Sequence, residues 1–556
     1  MERVCHCRIF PGVSFLLFLV SAVAACGDGA GEAESGPPDL LEYRARQMLA
    51  VRPGLGPTFV LDLAGGSKDR ELLARTLQGV VNRTQARLYI VDSGPTAEFP
   101  GADQAVLDLY VREGLVDVVG RGSLEDALAR FASEAAGYVL ADPEVDWSVN
   151  VATTIAAARG AVVATTATVP LLEAFGVSRA DDVRGRYANE VEAYRETATA
   201  YRDRLSYPGL ANQRPGLHAA RDFFVQQGIF TLYTRPRRPS FIPLTQLTAT
   251  FPQGLTYYGY VSDDGLEELI AVGALSMLDQ RLVPSDSTTN MSFHLAVAAD
   301  RPRAVIAPRD CSGVRPCTTE TVNVVLALTD GDNIVTSILQ FQQGPYWPSR
   351  RRGELPMGWS LSPNLAILAP ALWDHYVESA TPSDELVAML GVGYNYPVVN
   401  PEGQRFLEES FALVRRLGFQ TYWALEPLGL GWWPNWPAYE AARGGAMPDV
   451  FLVGYDSLFG LLTALETPPV VERPSGIIAF VSQLPAYFST PEQHAALIEA
   501  LLETPPSQRP IVTFYAATNW TTDMDRLAAV MEPLRARGVR FLTPSEAAAC
   551  VRAASR

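Results

Sequence analysis

Short apolar runs alternate with longer amphipathic stretches over most of the chain. In the N-terminal half, apolar runs at 59–63, 87–91 and 137–140 are separated by segments with helical periodicity. Runs of about four to eight apolar residues are typical of strands buried on both faces, and helices between such strands connect parallel neighbours. The pattern therefore predicts parallel α/β folding, with helices at 69–82 and 266–278.

From about residue 320 the alternation becomes regular and contains eight candidate strands. They are 323–328, 356–361, 386–394, 419–425, 449–455, 476–482, 510–516 and 539–543. Helical stretches such as 401–417 and 491–502 lie between most of them. Eight βα units of this length predict a (β/α)8-like barrel, with allowance for an irregular barrel or one strand fewer. The fold class is therefore α/β, a C-terminal (β/α)8-like barrel preceded by N-terminal α/β domains.

Polar and aromatic residues follow most of these strands. In a (β/α) barrel the carboxyl ends of the strands meet on one face, where the active site lies. The residues expected there are Asp330, Asp332, Asn333, Ser360, Ser362, Tyr394, Asn395, Tyr396, Glu426, Asp456, Gln483, Thr518, Asn519 and Trp520. Carboxylates, amides and aromatic rings on one face are typical of carbohydrate chemistry.

Four carboxylates on this face are predicted to be catalytic. They are Asp330, Asp332, Glu426 and Asp456. Glycoside hydrolysis needs two carboxyl groups that flank the scissile bond, one of them kept protonated by its environment. The structural alternative is a capped turn at 330–333 and a solvated strand end at Glu426. Acids on three different strand ends favour the catalytic interpretation.

The amides and aromatic rings are predicted to bind substrate. The predicted binding residues are Tyr394, Asn395, Tyr396, Trp432, Trp433 and Asn519. The tyrosines and asparagines would hold sugar hydroxyls, and the two tryptophans would stack on sugar rings. In the alternative interpretation, the tryptophans seal the barrel rim against the helices.

One of these strand ends carries a family signature, Gly391-Val-Gly-Tyr-Asn-Tyr-Pro397. It resembles the signature of the GxGYxYP putative glycoside hydrolases and matches it letter for letter. The block at 323–333 resembles the first barrel strand of that family, and 77–90 and 142–152 resemble its N-terminal region. The resemblance spans residues 55 to 546 and implies a glycoside hydrolase that acts on a polysaccharide or oligosaccharide.

Two other functions remain open at this point. A surface lipoprotein that only binds glycans would need the tryptophans but not the carboxylates. A metal-dependent polysaccharide deacetylase is suggested by Thr329-Asp-Gly-Asp332, but such sites also need a histidine pair, and His375 and His494 stand alone.

The first residues predict export and anchoring. Arg3 and Arg8 precede an apolar run at 13–23 that is too short to span a bilayer. Val23-Ala-Ala-Cys26 resembles a lipobox, with Cys26 as the lipidated residue; the alternative is an ordinary secretory signal cut near Ala25. A lipid-anchored protein of the cell envelope is expected, at the outer membrane or cell surface, with the periplasm as the alternative.

The predicted domain bounds follow from these segments. They are a signal peptide at 1–25, a lipid-anchored flexible tether at 26–54, a parallel α/β domain at 55–175, a second small α/β domain at 176–315 and the barrel at 316–550.

Charge and cysteine content narrow the partners. A formal net charge of −16 argues against nucleic acid and anionic lipid surfaces as partners. Only five histidines are present, and no metal or cofactor is predicted. Cys311 and Cys317 flank a short polar loop and are predicted to form a disulfide in an oxidising compartment, which leaves Cys550 as an unpaired thiol. The sequence does not indicate an oligomeric state.

Overall fold

The computed structural model describes residues 39–63, 66–92, 99–205, 209–262, 265–425, 435–454, 468–482 and 489–556. The strands are β1 (Gly54–Asp62), β2 (Gln85–Val91), β3 (Val118–Gly122), β4 (Tyr138–Leu140), β5 (Val162–Ala164), β6 (Arg179–Asp182), β7 (Gly209–Asn212), β8 (Phe230–Leu232), β9 (Thr256–Gly259), β10 (Arg281–Pro284), β11 (Asn323–Leu328), β12 (Met357–Leu361), β13 (Asp384–Met389), β14 (Thr421–Ala424), β15 (Val450–Val453), β16 (Val470–Glu472), β17 (Ile478–Val481), β18 (Thr513–Ala517) and β19 (Arg540–Leu542).

Helices separate most of these strands. They are α1 (Leu40–Met48), α2 (Lys68–Val81), α3 (Ala102–Arg112), α4 (Leu124–Phe131), α5 (Ser148–Arg159), α6 (Val169–Ala174), α7 (Glu190–Tyr201), α8 (Arg221–Gln227), α9 (Phe241–Thr248), α10 (Gly265–Met277), α11 (Met291–His294), α12 (Leu365–Leu368), α13 (Pro370–Ser379), α14 (Gly403–Leu417), α15 (Trp436–Arg443), α16 (Pro491–Glu503), α17 (Met524–Ala536) and α18 (Pro544–Ala554). Short 3₁₀ turns lie at Ala132–Glu134, Arg202–Arg204 and Pro506–Gln508, and a π-helical turn lies at Thr336–Gln340.

Three small parallel sheets make up the N-terminal half. Their strand orders are β2-β1-β3, β5-β4-β6 and β10-β9-β7-β8. The third sheet matters for function because its edge strand β10 lies beside the barrel. Helix α10, which leads into β10, lies in the place where the sequence predicts a helix.

The C-terminal half forms a nearly closed, barrel-like sheet. Its strands follow the order β16-β17-β15-β14-β13-β12-β11-β18, and all pairs are parallel except β16 with β17. A parallel bridge between Ser482 and Phe514 brings the β17 and β18 edges together. The expected α/β class is therefore confirmed, with a nearly closed, barrel-like sheet in the C-terminal half.

The last strand departs from a regular eight-stranded ring. β18 pairs with β11 from Val324 to Leu328, so the seventh predicted strand lies directly beside the first. β19 pairs only with residues 323–325 of β11. Helix α18 then packs against the beginning of β11, at the base of the barrel where the strands start.

Burial explains why the barrel strands read as continuous apolar runs. All six residues of β11 are buried, as are all four of β15 and of β17. Strands covered on both faces need no polar alternation. Helix α14 shows the complementary pattern: it buries Phe406 and Phe411 on one face and ends at Gly418, which adopts φ +86°.

The predicted Cys311–Cys317 disulfide is wrong, and so is the free thiol predicted for Cys550. Cys317 pairs with Cys550, 233 residues away, and their Cα atoms are 5.0 Å apart. The pairing arises because α18 returns to the base of the barrel, where the N–H of Cys317 donates to the carbonyl of Cys550 at 3.1 Å. Cys311 is a half-buried free cysteine. No helix in the described part of the chain is long and apolar enough to span a membrane.

Candidate active site

A pocket of about 580 Å³ lies where the carboxyl ends of the barrel strands meet the third N-terminal sheet. Its walls are formed by Arg214, Gly216, Leu217, Tyr260, Glu268, Pro284, Asp286, Ser287, Asp330, Asp332, Asn333, Val335, Tyr394 and Trp520. Both halves of the chain contribute carboxyl groups to it. The pocket is therefore composite, and the barrel supplies only part of its chemistry.

The loop after β11 is held in a fixed shape. Asp330 adopts φ +73°, a left-handed conformation that costs a non-glycine residue on the order of 1–3 kcal/mol. The N–H of Gly331 donates to Oγ of Ser360 at 2.9 Å, and the N–H of Ser362 donates to the carbonyl of Gly331 at 2.7 Å. A Cβ on Gly331 would lie 1.8 Å from the Ser360 carbonyl oxygen, so only glycine fits. The end of β12 thus fixes where Asp330 and Asp332 point.

Asp332 has a strongly perturbed carboxyl group. Burial raises its pKa well above the usual range, and the negative charges of Asp330 and Glu268 raise it further. Its Oδ1 atom is buried and has no hydrogen-bond partner among the described residues. Asp330 itself is buried. Neighbouring carboxyl groups of this kind cannot all ionise at once, so Asp332 is suited to carry a proton at neutral pH.

Glu268 is a pocket carboxyl that the sequence did not indicate. It is buried on α10, where its Oε1 accepts a hydrogen bond from the Tyr394 hydroxyl at 2.7 Å and its Oε2 accepts one from Tyr260. Burial raises the pKa of Glu268, and the two tyrosine hydroxyls oppose that rise. The helix was predictable, but nothing in its periodicity distinguishes this glutamate from a solvated one.

The signature segment lies between the barrel and the third sheet. Tyr394 and Leu282 exchange backbone hydrogen bonds of 2.6 and 3.0 Å, which form an antiparallel bridge to β10. Gly393 adopts φ +146°, and a Cβ there would lie 3.1 Å from the Leu282 carbonyl oxygen. The close approach explains the glycine immediately before the first tyrosine of the signature.

Of the three predicted binding residues in the signature, Tyr394 lines the pocket. Tyr396 lies behind it, with the two hydroxyl oxygens 3.2 Å apart. Asn395 points elsewhere: its Nδ2 donates to the carbonyl of Gln280 at 2.9 Å, and its Oδ1 accepts from Asn400 at 3.1 Å. Asn395 therefore fastens the segment to the neighbouring sheet.

Asn519 and Trp520 divide in a similar way. Asn519 is buried, and its Nδ2 donates to Oε1 of Gln340 at 2.6 Å. It does not line the pocket. Its neighbour Trp520 does, with 55% of its surface exposed. An exposed aromatic ring beside a polar pocket is suited to stack on a sugar ring.

Four further predicted residues lie outside the described part of the chain. They are Glu426, Trp432, Trp433 and Asp456, and Gln483, expected on the same face, lies outside it too. The lipidation candidate Cys26 lies outside it as well.

The histidines weighed for a deacetylase lie in separate environments. Nδ1 of His375 is 3.2 Å from a carboxylate oxygen of Glu113, and the His494 ring packs on Tyr515 with centroids 5.5 Å apart. Neither histidine lines the pocket. Among the described residues, no group of three or more His, Cys, Asp or Glu side chains could hold a metal ion.

The fold and pocket define a mixed α/β protein with an acidic site at the mouth of a barrel-like sheet. The family model described as GxGYxYP putative glycoside hydrolase C-terminal domain matches residues 320–552, and the model for the second domain of the family's N-terminal part matches residues 135–205. Together they cover more than half of the chain, which belongs to the GxGYxYP family.

One solved structure shares the fold over almost the whole chain. It is a crystal structure of a protein from Bacteroides thetaiotaomicron VPI-5482, described as a putative hydrolase. It has a TM-score of 0.73 at 20% sequence identity, with 94% of this chain and 98% of that chain covered. No curated protein matches the chain.

Proposed function

We propose that the protein is a glycoside hydrolase and that the pocket at the barrel mouth is its active site. The observation that carries the proposal is Asp332, a carboxyl group with a raised pKa beside the buried Asp330 in a pocket open to ligand. Glycosidic cleavage requires two carboxyl groups, one of which carries a proton, and the raised pKa suits Asp332 to that role. Family membership and the fold shared with a described hydrolase support the same class of reaction.

In this mechanism Asp332 is the general acid. It gives its proton to the glycosidic oxygen as the bond from that oxygen to the anomeric carbon breaks, and the bonding electron pair leaves with the departing sugar. Asp330 is the second carboxylate, which acts on the anomeric carbon as a nucleophile or through water as a base. In the nucleophile route, water attacks the anomeric carbon, the bond to Asp330 breaks, and the proton of that water returns to Asp332. In the base route, Asp330 takes the proton of the attacking water, and proton exchange with solvent restores both groups.

Trp520 and Tyr394 would position the sugar. The exposed Trp520 ring lies at the pocket, and Tyr394 forms part of the pocket lining. Ring stacking and hydroxyl contacts together hold a polyhydroxylated ligand without a cofactor.

The test is a screen of polysaccharide and oligosaccharide pools for released reducing ends, followed by variants at the two acids. Asp332→Asn and Asp330→Asn preserve shape and remove charge, and each is expected to lower kcat/KM by about a hundred- to ten-thousandfold. Asp203→Asn, an exposed aspartate away from the pocket, is the matched control. Wild-type rates in both pocket variants would refute the assignment.

Glycan binding without catalysis is the second candidate function, and the exposed Trp520 favours it equally. Binding alone needs the aromatic ring but not a proton donor. If several glycans bind, none is cleaved, and Asp332→Asn leaves the dissociation constants unchanged, the protein is a glycan-binding lipoprotein instead.

The proposal extends to location. Lipidation at Cys26 anchors the enzyme to the cell envelope, on the strength of the lipobox-like segment and the tether after it. Wild-type protein is then expected in the detergent phase of cell extracts and Cys26→Ser in the aqueous phase. Equal partitioning of the two proteins would contradict the anchor.

A further inference from the structure

Glu268 reaches the pocket from the N-terminal half of the chain. It is buried on α10, yet it lines the same pocket as Asp330 and Asp332. Each of its two oxygens accepts a hydrogen bond from a tyrosine hydroxyl, Oε1 from Tyr394 and Oε2 from Tyr260. Two directed donors make the position of this carboxylate well defined.

The family signature delivers one of those two donors. The bridge between Tyr394 and Leu282 fixes the backbone of the signature against β10. The Tyr394 hydroxyl therefore meets Glu268 only when the barrel and the third sheet are docked. Tyr394 is consequently a link between the two halves of the site as well as a wall of the pocket.

We infer that Glu268 is a positioning residue of the site, held in place by Tyr260 and Tyr394, and that it acts on Asp332 through its charge. The inference rests on the proposed function, because Asp332 is there the proton donor. It assigns the signature tyrosine a role in tuning that donor through Glu268.

Electrostatics in the pocket supports this arrangement. Hydrogen bonds from Tyr260 and Tyr394 favour the charged form of Glu268 and oppose the effect of burial on its pKa. The Glu268 charge in turn raises the pKa of Asp332, in addition to the larger effect of burial and the effect of Asp330. The other charged groups that line the pocket are Asp286 and Arg214. Tyr394 thus favours the charged form of Glu268, and the Glu268 charge in turn raises the pKa of Asp332.

Two substitutions test this coupling from Tyr394 through Glu268 to Asp332. In Glu268→Gln the like charge is gone, so the pKa of Asp332 falls, and the alkaline limb of the kcat/KM profile moves to lower pH by about one unit. In Tyr394→Phe the Glu268 anion loses a donor and is less populated, so the limb moves in the same direction by a smaller amount. Glu267→Gln, the same change one residue earlier on α10 and outside the pocket wall, should leave the limb in place.

A second measurement does not require turnover. The carboxyl carbons of ¹³C-labelled aspartate are followed by NMR as a function of pH, with Asp332→Asn identifying the Asp332 signal. A lower titration midpoint in Glu268→Gln than in wild type supports the inference. An unchanged midpoint, or a rate loss that is equal at every pH, overturns it and leaves Glu268 a structural residue. Absence of hydrolysis with a shifted midpoint would reject the proposed function but retain the coupling.

Discussion

Buried carboxylates occur at both ends of the barrel, and the two ends differ in how many hydrogen-bond donors surround them. At the base, Asp384 accepts hydrogen bonds from Arg352 at 2.6 Å, from the Trp359 indole at 2.9 Å and from a backbone N–H. At the mouth, Asp332 has a buried oxygen without a partner among the described residues and two other carboxylates as neighbours. Both oxygens of the base carboxylate have donors, which is typical of a structural role. One oxygen of the mouth carboxylate has none among the described residues, which is typical of a group that takes part in chemistry.

Other carboxylates at the base also have hydrogen-bond donors or a cationic partner, as Asp384 does. Glu385 accepts hydrogen bonds from Thr421 at 2.6 Å and from the hydroxyl of Ser545 at 2.7 Å. Asp449 pairs with Arg552 on the last helix. These contacts fasten α18 under the strand starts, so the base is where stability should be sensitive to substitution.

The largest expected effect on stability is at Asp384. Asp384→Asn leaves the Arg352 guanidinium half-buried without its carboxylate, and removal of one partner of a buried ion pair costs about 3–5 kcal/mol of unfolding free energy. Chemical denaturation of the variant measures the loss. Glu354→Gln, which breaks an exposed pair with Arg351, should cost far less and serves as the control. A similar small cost at both positions would remove the distinction between base and mouth.

The disulfide at the base is expected to contribute somewhat less. Cys550→Ser opens the link between Cys317 and the last helix, and loss of a native disulfide lowers the unfolding free energy by about 2–4 kcal/mol. Cys311→Ser removes a free thiol of the same sequence region and should leave stability nearly unchanged. Peptide mapping without reduction should recover a peptide that joins residues 317 and 550; a 311–317 link would contradict the structure.

The barrel strands and the disulfide show which parts of the fold could be predicted from the sequence and which could not. The barrel strands were predictable because burial on both faces imposes continuous apolar runs such as 323–328. The partner of Cys317 was not, because it depends on where a helix more than 200 residues later returns. Cys311 was the predicted partner because it is close to Cys317 in sequence, whereas in the folded chain Cys550 lies next to Cys317.

The candidate site divides in the same way. Asp330, Asp332 and Tyr394 were predicted from their positions at strand ends, and they do line one pocket. Glu268 was missed because it comes from a helix in another part of the chain, where a glutamate is ordinary. Asn519 and Trp520 were both expected on this face, but the binding role was assigned to Asn519, because sequence order does not show which of two adjacent side chains faces the pocket.

A smaller effect, of opposite sign, is expected at the mouth. Burial and neighbouring charges raise the pKa of Asp332 in the folded protein above the value of about 3.9 in the unfolded chain. The wild type therefore loses stability as pH rises from the unfolded value through the folded value, by about 1.4 kcal/mol for each unit of difference. Asp332→Asn has no such loss.

Thermal unfolding of both proteins from pH 4 to pH 8 measures this contrast. The Asn variant should gain stability relative to the wild type as pH rises, while its activity is lost. Asp384→Asn should be destabilised over the same range. If Asp332→Asn is also less stable than the wild type at pH 8, its carboxylate has a structural partner and the mouth resembles the base.

The smallest expected effect on stability is at Trp520, the exposed aromatic residue of the pocket. Trp520 is more than half exposed, so Trp520→Ala removes little buried surface and should leave the unfolding free energy within about 0.5 kcal/mol of wild type. Loss of one stacking ring should raise KM about fivefold, equivalent to about 1 kcal/mol, with kcat nearly unchanged, because stacking holds substrate and transition state alike. Tyr43→Ala, an exposed aromatic on α1 that does not line the pocket, is the control for KM. A kcat loss in Trp520→Ala as large as that in Asp332→Asn would show that the ring acts in the chemical step and not only in substrate binding.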